Sequence, residues 1–292
     1  MHIVLLSGTG NQNISGNGIN ANVLDINNSD SRTITVDSTL RADSSTTIDG
    51  KTLHLICNES RNDESYVSVA KLNADKLIID GNVTLGNLEY RGSEITINGD
   101  LLGSDSITLN KTSVTINGDA TTNGDFTLNG SNVTATGDYH HNGFLYMKNK
   151  NDKLNVGGDL HLEGTGDSIQ DGVIDVKGDI RLNHVIHTYI FARYNELGGN
   201  NKLVLSGEDD VTIYMDGGRF NDIDFQNSDK RILNTDDTFR ATSINCGTNP
   251  LNISTRNGVL ELGAVTCSDF KVTGDSTIIG ETKFNCSSIT FD

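Results

Sequence analysis

Apolar and polar residues alternate along most of this chain in short runs, and each run stops at a glycine. Ile95-Thr96-Ile97-Asn98-Gly99-Asp100, Val114-Thr115-Ile116-Asn117-Gly118-Asp119, Val133-Thr134-Ala135-Thr136-Gly137-Asp138, Leu154-Asn155-Val156-Gly157-Gly158-Asp159 and Ile174-Asp175-Val176-Lys177-Gly178-Asp179 are copies of one phrase. Leu77-Ile78-Ile79-Asp80-Gly81-Asn82 is a further copy that ends in asparagine. Alternation with a period of two puts the apolar residues on one face of a strand. The glycines Gly81, Gly99, Gly118, Gly137, Gly158 and Gly178 lie 18, 19, 19, 21 and 20 residues apart. A near-constant period of this length marks a solenoid, whose units bury their apolar faces only by stacking on one another. The pattern predicts an all-β parallel β-helix (β-solenoid) with coils of about 19–21 residues, roughly 14 or 15 of them at one strand spacing per coil. Glycine at each corner is expected to supply the backbone freedom of a sharp turn.

A longer repeat overlies the coils. Residues 6–42 align without gaps to residues 205–241 at a constant offset of 199. Leu6-Ser7-Gly8 meets Leu205-Ser206-Gly207, Asp30 meets Asp229 and Arg32 meets Arg231, with Ile14, Asn22, Asp37 and Ala42 among further identities. The chain therefore reads as one continuous solenoid over 1–292, made of a first module, 1–201, and the start of a second, 202–292.

Composition narrows the function. One proline and no tryptophan accompany 31 glycines, which suits uninterrupted parallel ladders. No apolar run approaches a membrane span, so membrane insertion is not expected. A net charge of −17 repels phosphate backbones and anionic surfaces, so nucleic acid is not an expected partner. The opening MHIVLLSGTGNQ has no secretory-signal pattern. That predicts either a cytoplasmic chain or one whose leader was cut away with the rest of a longer exported protein.

Gly143-Phe144-Leu145-Tyr146-Met147-Lys148-Asn149, the Leu154 and Ile174 phrases, Lys202-Leu203-Val204-Leu205-Ser206-Gly207 and Phe220-Asn221-Asp222-Ile223-Asp224-Phe225 together resemble the β-helical repeat regions of very large surface proteins of Gram-positive anaerobic bacteria. The resemblance covers most of the chain. It implies an exported stalk, adhesin or filament element located extracellularly or at the cell surface. Its expected partners are adjacent repeat modules or further copies joined end to end, with a surface glycan or host protein along the sides. The matching motifs are structural and imply no chemistry.

Candidate sites follow the coil period. Asp100, Asp119, Asp138, Asp159 and Asp179 should form a column. Stacked carboxylates repel, and a cation such as Ca²⁺ would relieve that repulsion; alternatively each carboxylate accepts N–H bonds in its own corner. No other cofactor is expected. Cys246, Cys267 and Cys286 are 21 and 19 apart and share parity with Ile244, Val265 and Phe284, which predicts inward thiols of the structural core. Cys57 has the same parity as Leu53 and Leu55. Thr96, Thr115 and Thr134 predict an outward threonine column that ends at Asn155, and His140, His161 and Arg181 predict another outward column. The periodicity breaks between Asn183 and Asn201, where Tyr189, Arg193 and Tyr194 form a candidate ligand patch.

No nucleophile motif, phosphate loop or zinc spacing is present, so no catalytic residue is assigned and the chain is not expected to be an enzyme. The expected function is that of a non-enzymatic structural rod. A cytoplasmic, self-assembling, bactofilin-like scaffold is the alternative, and a carbohydrate-binding or carbohydrate-active β-helix the third reading.

Overall fold

The computed structural model describes residues 2–27, 30, 32–58, 65–164, 168–182, 200–215 and 219–292. The fold is all-β, 64% strand, and its parallel sheet forms a β-solenoid of about 12 turns. A 3₁₀ turn, Ser228–Lys230, interrupts the strands of the second unit. Turns are fewer than the glycine period suggests because some coils are longer: Leu53 pairs with Leu77 and Ile174 with Leu203, 24 and 29 residues on. The chain divides into two compact units, Met1–Gly137 and Asp138–Asp292.

In the first unit the repeated phrase sets the register. Leu77, Ile95, Val114 and Val133 stand in one column, and Ile79, Ile97, Ile116 and Ala135 in a second. All eight are buried. Each large aliphatic side chain so buried stabilises the stack by roughly 1.5–3 kcal/mol, and because residues between them point outward, a slip of one residue would expose every column.

In the second unit Leu154, Ile174, Leu203 and Ile223 form the equivalent column, and Val156, Val176, Leu205 and Phe225 the next. Phenylalanines fill the later coils: the rings of Phe220 and Phe239 are 5.9 Å apart, and those of Phe270 and Phe284 4.9 Å.

The 199-residue repeat is also a repeat of register. Ile3 faces Val23 as Lys202 faces Asp222, Gln12 faces Ile34 as Val211 faces Leu233, and Ala21 faces Ala42 as Phe220 faces Ala241. Polar contacts recur at the same offset. Thr33 N–H donates to Asn11 Oδ1 (2.9 Å) and Ile232 N–H to Asp210 Oδ1 (2.7 Å). Beyond these coils the copies diverge, since Ile34 pairs 21 residues on, with Leu55, and Leu233 pairs 20 on, with Ile253.

Candidate functional site

The aspartate column exists in each unit, and its geometry shows what the carboxylates do. In the first unit Asn82 Oδ1 accepts the N–H of Asp100 (2.7 Å), and Asp100 Oδ1 accepts the N–H of Asp119 (2.9 Å). In the second, Asp138 accepts from Asp159 (2.8 Å), Asp159 from Asp179 (2.7 Å) and Asp179 from Thr212 (2.7 Å). Asp100, Asp138, Asp159 and Asp179 thus each bind a backbone donor one coil on. Mutual repulsion is offset by these charge-assisted bonds. Among the described residues, no group of three or more His, Cys, Asp or Glu side chains converges as a metal site.

The ladder also explains the glycine that precedes each aspartate. A Cβ at Gly118 would strike Asp100 Oδ1, at Gly137 Asp119 Oδ1, and at Gly178 Asp159 Oδ1. Of the six corner glycines of the phrase, only Gly81 has a left-handed backbone, φ +105°. The expectation that these glycines serve turn geometry is therefore corrected. Gly118, Gly137 and Gly178 leave room for the carboxylate of the preceding coil and Gly99 for the Asn82 amide, and at Gly99, Gly118 and Gly178 the backbone of the preceding corner also comes too close for a Cβ.

Cys57, Cys246 and Cys267 are buried and Cys286 is half-buried; all four are free thiols. Cys246 and Cys267 sit at equivalent corners, where their N–H groups donate to Thr266 and Asn285 of the next coil. Burial raises the thiol pKa to about 11 at Cys57 and Cys267 and about 12 at Cys246, which keeps the reactive thiolate scarce.

Thr96, Thr115 and Thr134 are in register and half-buried, above Ile78 in the same column. His140, His161 and Arg181 occupy one outward column, and Tyr214 extends it. The histidine rings meet edge to face at 5.6 Å, Glu163 Oε2 lies 3.1 Å from His140 Nε2, and Arg181 packs 5.1 Å from the centre of the Tyr214 ring. This strip is a run of mutual side-chain contacts on a sheet face, not a cluster around a point. Tyr189, Arg193 and Tyr194 lie outside the described residues.

Sequence reasoning missed three features. Arg32 and Arg231 are buried: Arg32 donates to Leu6 O and to Gln12 Oε1 (3.0 Å), and Arg231 to the carbonyls of Leu205 (3.0 Å), Gln226 (3.2 Å) and Asp209 while lying over the Phe225 ring. Their parity with Ile34 and Leu233 was the available signal. His141 is buried beside Tyr139, and desolvation holds its pKa down at about 4. His54 bridges coils of unequal length: its Nε2 is 2.7 Å from Asp80 Oδ2 and its Nδ1 3.4 Å from Thr33 Oγ1. The Asn98 amide and then His54 hold the Asp80 carboxyl below its usual pKa range.

The order hydroxyl, imidazole, carboxylate invites comparison with a nucleophile relay. Here the hydroxyl stands 3.4 Å from the imidazole, and the trio lines neither of two outer grooves of the first unit. One groove, about 350 Å³, is lined by Arg41, Asp43, Ser68, Glu89, Ser106 and Thr108 among others. Its carboxylates are taken up in ion pairs, Asp43 with Arg41 at 3.2 Å and Glu89 with Arg91 at 2.6 Å. The other groove, about 260 Å³, runs beside Asn82, Asp100 and Asp119, and the side-chain oxygens of Asn82 and Asp100 there already serve the ladder. Comparison with known proteins adds no relative: no protein-family model, curated protein or solved structure matches the chain.

Proposed function

We propose that this chain is a non-enzymatic structural segment of a tandem-repeat bacterial surface protein, acting as a stalk or spacer that carries or presents neighbouring modules. One observation carries the reading: residues 3–42 and 202–241 adopt the same coil register and reuse the same polar contacts at a 199-residue offset. A chain that begins the same structural module twice is built by iteration, and iteration of a parallel ladder yields reach and stiffness. The polar groups of the Gly-Asp corners also serve cohesion between coils. That use supports a mechanical role over a catalytic one.

The second reading, a cytoplasmic self-assembling scaffold, is favoured by four cysteines that are all free. Antibody labelling of intact and permeabilised producing cells separates the two. Labelling of intact cells supports the surface segment. Interior filaments, labelled only after permeabilisation, support the scaffold. Diffuse interior labelling contradicts both.

A further inference from the structure

Strands Ile3–Leu6 and Lys202–Leu205 are one element, 199 residues apart, and differ in their surroundings on one side only. Toward the following coil they match, as Ile3–Leu6 lies on Val23–Ile26 and Lys202–Leu205 on residues 222–225. Toward the preceding coil, Lys202–Leu205 lies against Val173–Val176: Lys202 N–H donates to Gly172 O (3.0 Å) and Ser206 N–H to Val176 O (3.0 Å). Val211–Met215 likewise lies against Ile180–Leu182. Among the described residues, Ile3–Leu6 has no strand on that side. Burial differs in the same sense: Leu5 is 54% exposed and its counterpart Val204 only 9%.

We propose that the free edge of Ile3–Leu6, with Gln12–Ile14 beside it, docks another copy of this module through that copy's residues 173–182. The proposal rests on the tandem-repeat reading and specifies its joint. Val173 of the incoming copy would face Ile3, Ile174 would face Val4, Val176 would face Leu6 and Ile180 would face Ile14, as they face residues 202, 203, 205 and 213 within this chain. The N–H groups of Ile3 and Ser7 would donate to Gly172 O and Val176 O. Ile174 and Val176 would extend the inward columns of Val4 and Leu6. Recognition is strand addition to an open edge, with inward apolar residues setting register.

The test duplicates residues 138–199 ahead of Met1 of the full chain, which preserves the spacing at the joint, and follows amide exchange of residues 3–7. Exchange at Ile3 and Ser7 is expected to slow by about tenfold or more relative to the unmodified chain. Ile174→Asp with Val176→Asp in the added copy alone should abolish the slowing. Unchanged exchange at residues 3–7, with residues 202–206 still protected, overturns the joint while leaving the surface-segment reading to the labelling experiment. Slowing in the unmodified chain that grows with concentration also overturns it, because a different surface would then be covering the edge. If the duplicated chain does not fold, a synthetic peptide of residues 170–182 added to the unmodified chain is the second measurement. Slowing at residues 3–7 supports the joint, and no slowing at saturating peptide counts against it.

Discussion

The Gly-Asp coils and the two module starts solve one problem with opposite chemistry. Backbone groups at the corners of a solenoid point away from the strand ladders and need partners. In the Gly-Asp coils, carboxylates such as Asp100 and Asp159 take N–H groups from the next coil on the outer surface. At the module starts, the buried guanidinium groups of Arg32 and Arg231 give hydrogens to carbonyls, Leu6 O in one copy and the equivalent Leu205 O in the other. Outer acceptors can be repeated in every coil because water moderates their cost. A buried cation costs several kcal/mol to desolvate and occurs where specific carbonyls converge on it. Corner carboxylates therefore serve cohesion, and the buried arginines recur at matching positions of the two stretches related by the 199-residue offset.

That contrast predicts a ranking. The largest loss should come from Arg231→Met, about 3 to 4 kcal/mol by denaturant unfolding, since three carbonyls lose a charged donor. Arg32→Met, with one carbonyl and one side-chain amide at stake, should cost less, about 1 to 2 kcal/mol. Equal costs would break the claim that carbonyl count sets the strength of the clamp.

Next comes acid. Arginine keeps its charge on acidification, but His141 is buried with a pKa near 4 against 6.5 for a free imidazole. As pH falls below 6.5 the unfolded chain binds this proton and the folded chain does not until about pH 4, so stability present above pH 6.5 is lost across that window. The loss should reach about 3 kcal/mol. His141→Leu should remove that part of the pH dependence, which acid titration of the unfolding midpoint checks.

Smaller effects probe the corner itself. Gly137→Ala should cost about 2 kcal/mol in the native chain because its Cβ meets Asp119 Oδ1 while the nearest backbone atom is 3.2 Å away, and much less in an Asp119→Ala background. Additivity in that double-mutant cycle would refute the spatial explanation of the Gly-Asp pair. Smallest of all, Asp159→Ala should cost about 1 kcal/mol and Asp159→Asn, which keeps an acceptor for Asp179 N–H, nearly nothing. Chelator should leave both values unchanged.

Much of this was legible in the chain. The spacing from Gly81 to Gly178 gave the coil, parity gave the inward columns from Leu77 to Val133, and the identities between 6–42 and 205–241 marked the module that the strand registers repeat. Legibility failed where contacts cross coils. Nothing local in Gly118-Asp119 says that the glycine makes room for Asp100, because that neighbour is a full coil back. His54 and Asp80 meet across 26 residues, in coils that break the common period. Arg32 shares the inward parity of Ile34, but its charge alone would assign it to the surface, and parity and charge give opposite answers there. The coil count that the glycine period implies is too high because the most regular stretch has shorter coils than Leu53–Leu77 and Ile174–Leu203.

Amide exchange on the unmodified chain, resolved at residues 2–8 and 201–207, tests most directly the claim that one structural element occurs twice. The account predicts slow exchange at Lys202 and Ser206, whose N–H groups bond Gly172 and Val176, and fast exchange at Ile3 and Ser7 on the open edge. Equal protection in the two windows at low protein concentration, or fast exchange at Ser206, would contradict it.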